Sequence, residues 1–338
     1  MTTILVTGGV GFIGTNLVES LTCLYDKVIV VDLVNESWQQ KNCHALSCYS
    51  NVHIKQMDIT DRQAVLSLFE EYLPDWVLHL AAETHVDKSI ADPALFLSSN
   101  IWGTFHLVDM AATYCQRKGC PNDFRFYYCS TDEVYGSLGT EGSFHEMLPL
   151  HPNNPYSATK AAGEHLLTAW ANTFGLPFLI SRCSNNYGQY QGTDKFVPLT
   201  IHRCLSKQPI LIHGDGSNIR NWLYVKDHVK AISAVMKHGV PGEVYNIGAG
   251  TESELTNLTM AEMICDTVDE VQGHPQGMSR QLITFVQDRP GNDKCYSIDS
   301  TKLHECSGWQ PETPLIKGLR TTVEWYVKNS KADLNKGA

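Results

Sequence analysis

The run Thr3-Ile4-Leu5-Val6-Thr7-Gly8-Gly9-Val10-Gly11-Phe12-Ile13-Gly14 limits what this chain can fold into more than any other segment. A short β-branched stretch leads directly into glycines at 8, 11 and 14, and a helical apolar pattern follows. Gly8 permits a tight turn, Gly11 lets the backbone approach a pyrophosphate at the helix N-terminus, and Gly14 allows close packing of helix on strand. The alternation then continues. Candidate strands are Thr3–Thr7, Lys27–Asp32, Val52–Gln56, Trp76–Leu80, Phe124–Cys129 and Phe178–Arg182. Helical periodicity covers Asn16–Leu24, Arg62–Tyr72, Ala94–Gln116 and Ser157–Phe174. An α/β fold with a doubly wound, Rossmann-type parallel sheet is therefore expected.

After Arg182 the pattern loosens. Gly, Pro and Asn become frequent, and short segments such as Pro209–His213 and Val244–Ile247 sit between turn signals, which predicts a smaller mixed α/β lobe. Helical patterns at Val225–Lys237 and Met260–Val271 imply that the later chain serves both lobes. The division expected is 1–182 for a dinucleotide-binding domain, with the stretch near 225–240 returning to it, and 183–338 mainly for the second lobe.

Composition narrows the partners. With 43% hydrophobic and 18% charged residues, and 25 Gly and 14 Pro scattered along 338 positions, the chain is neither disordered nor fibrous. A formal charge of −10 repels polyanions, so no nucleic-acid or anionic-membrane partner is expected, and any anionic ligand must be held by a local cluster. No apolar window approaches the ~18 residues of a membrane span, and the start lacks a basic n-region, so the expected compartment is the cytoplasm. The 11 cysteines fall at irregular spacing, with no C-x-x-C pair and no His at zinc-finger spacing. They read as reduced, mostly buried thiols, with no metal.

The second strand ends in Asp32, 18 residues after Gly14, where a carboxylate can accept both adenosine ribose hydroxyls and would repel a 2′-phosphate. That favours NAD over NADP. Tyr156 and Lys160 stand at i and i+4 on a helix beginning after Pro155. A phenol of pKa ~10 is a poor base at neutral pH, and a nearby ammonium and a cationic nicotinamide would both favour the phenolate. Thr131, Asp132 and Glu133 follow a buried strand, at the carboxyl end where ligands of open α/β sheets sit. Two adjacent carboxylates do not easily both ionise at short range, so one pKa should rise and that group can act as an acid. The sequence leaves open which one.

The G-x-x-G-x-x-G spacing resembles the extended short-chain dehydrogenase/reductase family. TGGVGFIG, HLAAETHVDKSI, STDEVYG, NPYSATKA, RCSNNYGQYQ, KFVPL, GDGSNIRNWLYVKDH, YNIGAG and DRPGNDKCYSID together resemble the dTDP-glucose 4,6-dehydratases over nearly the whole chain. The acid pair is the specific element: related epimerases usually carry small uncharged residues there, and related decarboxylases and GDP-mannose dehydratases resemble it only with Ser in place of Asp132.

The resemblance implies a tightly bound NAD, regenerated in each turnover. Its contacts would be Gly8, Gly11, Phe12, Ile13, Gly14, Asp32, Asp58, Ile59, Leu80, Ala81, Ala82, Thr84, Tyr156, Lys160 and Cys183. Asp58 would meet the adenine amine; read structurally, it starts a helix with Thr60 and Asp61. Tyr156, helped by Thr131 and Lys160, would take the sugar 4-hydroxyl proton, Glu133 the C5 proton, and a protonated Asp132 would donate to the departing C6 hydroxyl. The nucleotide sugar would touch His85, Thr131, Asn185, Lys195, His213, Arg220, Asn257 and Arg289, with His85 equally readable as a hydrogen-bonded structural histidine. A homodimer paired through Ala94–Gln116 and Ser157–Phe174 is also implied.

Four departures bear on the substrate. Leu33–Trp38 lacks the usual K-L-T-Y-A-G-N run, His213 stands where Tyr is more frequent, Asn292 replaces a frequent His, and Asn221 replaces the usual Asp. The last three are expected near the base and phosphate pocket. Thymidine is the expected base, although uridine lacks only a methyl worth ~1 kcal/mol of apolar contact. A UDP-glucose or other NDP-hexose dehydratase, an epimerase, and a non-catalytic NAD-binding protein are the alternatives.

Overall fold

Every residue of the first strand is buried, as befits a strand covered on both faces. The computed structural model describes residues 2–118, 124–138, 142–288 and 293–336. Its strands are β1 Thr3–Thr7, β2 Lys27–Asp32, β3 Val52–Gln56, β4 Trp76–His79, β5 Arg125–Thr131, β6 Phe178–Cys183, β7 Asn185–Tyr187, β8 Ile210–His213, β9 Ile219–Tyr224, β10 Val244–Ile247, β11 Glu254–Thr256 and β12 Ile283–Val286. Seven of them form one sheet in the order β10-β6-β5-β4-β1-β2-β3, with parallel pairing throughout. Strand order reverses between β1 and β4, which opens a crevice at their carboxyl ends.

Two apolar layers cover this sheet. Leu17, Val18 and Leu21 of the helix Phe12–Leu21 share one with Val229, Ile232 and Val235 of Val225–His238. Val65, Leu68 and Phe69 of Arg62–Tyr72 share the other with Leu107, Val108 and Ala111 of Thr104–Lys118 and Leu167 of Pro155–Phe174. The smaller lobe holds β9 between β7 and β11, the parallel pair β8 and β12, and a third apolar cluster built on Phe196–Ser206, Asn257–Gln272 and Leu315–Lys336. Phe12 and Ile13 also pack against that cluster, so the helix after the glycine turn touches both lobes.

Two expectations change, and a third region gains a helix. Val244–Ile247 is not a strand of the small lobe but the seventh strand of the large sheet, in register with β6. The helix expected over Ala94–Gln116 is broken into a turn at Pro93–Phe96, a π-helical turn at Leu97–Gly103 and a helix at Thr104–Lys118. The wider turn aims Asn100 sideways, where it bonds the backbone N–H and C=O of Glu83 and donates to Thr159 Oγ1 at 2.9 Å. The third is Leu33–Trp38, which leads into a helix over Ser37–Leu46 closed by a reciprocal cap between Glu36 and Gln39. Among the described residues no helix is long and apolar enough to cross a membrane.

Candidate active site

The glycine turn is a cradle that side chains would fill. Gly8 has φ +72°, and a Cβ there would stand 2.5 Å from the Ala81 nitrogen; a Cβ on Gly14 would stand 2.0 Å from the Gly8 carbonyl. Gly11 opens the helix Phe12–Leu21 with no side-chain cap, which leaves the first amides to meet an anion. Leu80 N donates to Thr7 O at 3.0 Å, fixing Leu80, Ala81 and Ala82 as the neighbouring wall. At the end of β2, Asp32 accepts from Val10 N at 3.1 Å and Leu33 N at 2.9 Å. Burial raises its pKa while these amides oppose the rise. Backbone approach, uncapped helix amides and a terminal carboxylate fit a dinucleotide with an unphosphorylated ribose.

Ile59 is buried beneath this region and packs where a Gly103 side chain would otherwise be. Asp58 is exposed at its turn and accepts from Thr60 N at 2.8 Å, while the following helix is capped by Asp61.

Thr131 ends β5, and Asp132–Tyr135 turn immediately into a 3₁₀ helix. Thr131 Oγ1 accepts from Glu133 N and donates to Asp132 Oδ1, both at 3.3 Å. The Asp132 side chain lies in a residue only 2% exposed, and its Oδ2 has no hydrogen-bond partner. Burial first, and the Glu133 carboxylate second, push Asp132 up to about 8, against the Arg220 charge and the Thr131 hydroxyl. These surroundings favour the protonated form of Asp132.

Asn154 joins the acids to the next helix. Its Nδ2 donates to Glu133 Oε2 at 3.4 Å, and its Oδ1 accepts from Ser157 N at 2.9 Å as the cap of Pro155–Phe174. Tyr156 and Lys160 emerge from the first turns of that helix, both buried. Burial, with Glu133 next, raises Tyr156 well above its ordinary value, so the phenolate is not favoured by the protein alone as expected. The Lys160 ammonium donates to the Cys129 carbonyl at 2.7 Å and lies 4.1 Å above the Tyr128 ring. Cys183, at the end of β6, is buried and donates to Ser130 O at 3.5 Å.

Toward the small lobe, Lys195 Nζ donates to Thr84 O at 2.9 Å and Thr84 Oγ1 at 3.1 Å. His85 Nδ1 has no hydrogen-bond partner and stands 4.0 Å from Asp87 Oδ2, and burial followed by the Lys195 charge lowers its pKa. Asn185 Oδ1 is likewise buried and unpaired. Arg220 is buried, donates to Ile219 O at 2.8 Å and Asp293 O at 2.9 Å, and lies 4.4 Å above the Tyr296 ring. Its effect on Asp132 brings a residue expected beside phosphate to the acid pair as well.

His213 is exposed at the end of β8, and Asn257 begins a helix with its amide on Asn218 O. Arg289 and Asn292 lie outside the described residues. Asn221 proves structural: it donates to Gly250 O and accepts from Ala249 N, both at 2.8 Å, and is fully buried. Sequence reasoning missed Asn154, although it stands in the quoted NPYSATKA, and missed Tyr296, whose ring supports Arg220.

Residues 5–322 match a family described as GDP-mannose 4,6 dehydratase. A probable dTDP-glucose 4,6-dehydratase of Sinorhizobium fredii is 43% identical over 96% of this chain and 93% of that one. The dTDP-glucose 4,6-dehydratase of Haemophilus influenzae is 43% identical over 98% of this chain and 100% of its own. This chain belongs to the dTDP-glucose 4,6-dehydratase family. A crystal structure of the Streptomyces venezuelae dTDP-glucose 4,6-dehydratase, with NAD and TYD bound, superposes with a TM-score of 0.88 at 35% identity, covering 98% of each chain. Family membership and the doubly wound sheet thus agree on one architecture, in which Asp132 and Glu133 stand at the carboxyl end of β5, beside the crevice between β1 and β4.

Proposed function

We infer that this chain is an NAD-dependent hydro-lyase that converts dTDP-glucose to dTDP-4-keto-6-deoxyglucose. The observation that carries this is the buried Asp132 kept protonated next to Glu133. A plain oxidoreductase or epimerase has no use for a neutral carboxyl beside a second acid, whereas elimination of water needs a base and an acid together. The glycine cradle, Asp32 and the Leu80–Ala82 wall hold NAD, which supplies hydride uptake at sugar C4 and hydride return at C6.

Tyr156 accepts the proton of the 4-hydroxyl, with Thr131 beside it and Lys160 holding the strand end through Cys129 O. The resulting ketone acidifies C5, Glu133 takes that proton, and Asp132 protonates the leaving C6 hydroxyl. Lys195, Arg220, Asn185 and Arg289 serve the diphosphate and ribose, His85 the sugar, and His213 and Asn257 the nucleotide end. Residues 1–182, the later 225–240 stretch and β10 form the NAD domain, and the rest mainly covers the nucleotide sugar.

The chain pairs as a homodimer through Thr104–Lys118 and Pro155–Phe174. Trp102, 58% exposed, and Phe174, 43% exposed, lie beside these helices and support that pairing. The ten described cysteines are thiols rather than disulfides, which supports a reducing cytoplasm. Incubation with dTDP-glucose and, in parallel, UDP-glucose, followed by the alkali-induced absorbance of the 4-keto-6-deoxy product, tests the activity. Product from dTDP-glucose is expected; no product from either sugar refutes the proposal.

A further inference from the structure

Cys129, Cys183 and His228 take no side-chain part in the proton transfers above, yet they meet. The register pairs Thr131 with Cys183, two residues beyond Cys129 on β5, so both thiols project from the same face of the sheet. His228 reaches that face from the first turn of the helix Val225–His238. One potential ligand atom from each residue lies within 4.8 Å of the other two.

The imidazole is prepared for a ligand's role. His228 Nδ1 is 2.9 Å from Asn186 Oδ1, which fixes the proton on Nδ1, and the opposite Nε2 is buried without a partner.

We propose that Cys129, Cys183 and His228 form a binding site for a thiophilic d¹⁰ cation of the Zn²⁺ type, with one coordination position left open. Two sulfurs and an imidazole, without a carboxylate, select such an ion over Mg²⁺ or Ca²⁺. Metal–sulfur bonds of ~2.3 Å and metal–nitrogen bonds of ~2.0 Å place tetrahedral ligand atoms roughly 3.5–3.8 Å apart, so contraction of about 1 Å closes the shell. Binding releases the two thiol protons to solvent and ties β5, β6 and the Val225–His238 helix together beneath Thr131. The site adjoins the cofactor pocket, since Cys183 is an expected NAD contact and the Cys129 carbonyl holds Lys160.

The test uses the NAD-loaded protein. After incubation with Zn²⁺ and desalting, about one equivalent should remain per chain, and Co²⁺ titration should give a thiolate charge-transfer band. Cys129→Ser and His228→Gln should each weaken zinc binding at least ~tenfold. A Cys23→Ser/Cys48→Ser pair, which removes exposed thiols, should leave it unchanged. Circular dichroism checks that each variant is folded. Equal zinc retention by the parent and a folded Cys129→Ser or His228→Gln protein, or a parent Co²⁺ spectrum without the thiolate band, overturns the proposal.

Discussion

Substituting Asn for Asp132 removes a proton held on a carboxyl in a residue only 2% exposed. The folded-state pKa is raised from 3.8 to about 8, which corresponds to roughly 5 kcal/mol against the ionised form. The sign follows from the raised value. The stability associated with this group is fully present below about pH 4, where it is protonated folded and unfolded. It is lost at about 1.4 kcal/mol per pH unit as the pH rises toward about 8, because the unfolded chain ionises first.

The amide of the variant does not titrate, so the stability advantage of Asp132→Asn over the parent should widen by roughly 4 kcal/mol between pH 5 and pH 8. Urea denaturation of both proteins at pH 5, 6.5 and 8 reads this gap. Activity should move the opposite way. Near pH 7 about nine-tenths of the parent carries the proton, so its turnover should fall above pH 8. The variant should lose ~10²–10⁴-fold in rate and lack that falling limb. A stability gap that is flat with pH, or normal turnover in the variant, would falsify the placement of the proton on Asp132.

Glu133→Gln should abolish deuterium incorporation at sugar C5 from solvent while leaving initial oxidation at C4 detectable as reduced cofactor; undiminished exchange would remove Glu133 as the base. Gly14→Ala places a Cβ 2.0 Å from the Gly8 carbonyl, a backbone atom with little freedom to yield. The purified variant should carry little NAD and lose ~1–3 kcal/mol in denaturant unfolding, and full cofactor content at unchanged stability would contradict the cradle. Trp102→Glu charges a side chain that is 58% exposed, and gel filtration should then shift from twice the chain mass toward 37.7 kDa.

The first half of the fold is legible because its signals are local. β1, β2 and β3 occupy their expected ranges, as does the helix Arg62–Tyr72, since β-branched runs and helical apolar spacing mark them without help from distant residues. Val244–Ile247 reads as a strand, but its place in the large sheet is hidden because its partner β6 is remote in sequence. The π-helical turn is invisible: apolar spacing across Ala94–Gln116 is nearly the same with or without it, and what imposes it is Asn100 reaching Glu83 and Thr159. Asn221 illustrates the opposite error. An Asp-to-Asn departure suggests altered substrate contacts, yet the side chain brackets Gly250 and Ala249, where donor and acceptor are both required and a carboxylate supplies only one. The cluster of Cys129, Cys183 and His228 escapes for the same reason as β10's partner, since metal-ligand spacing can be recognised in sequence only when it is short.

The same two causes, burial and the Glu133 charge, raise both Asp132 and Tyr156 toward their protonated forms. For Asp132 this is the working form, and for Tyr156 it opposes the base role, so Glu133 acts as a shared control over both groups. In the proposed mechanism Glu133 takes the C5 proton; its charge then disappears, and with it the second cause that raises Asp132. Arg220 remains, and its positive charge now acts on Asp132 without the opposing carboxylate. Asp132 therefore becomes a stronger acid at the moment the C6 hydroxyl must be protonated, which couples the uptake of one proton to the release of the other without any movement of the backbone. Glu133→Gln imitates that neutral state permanently. Its pH-dependent loss of stability should end at a lower pH than in the parent, and an unchanged end point would show that the two carboxyls titrate independently.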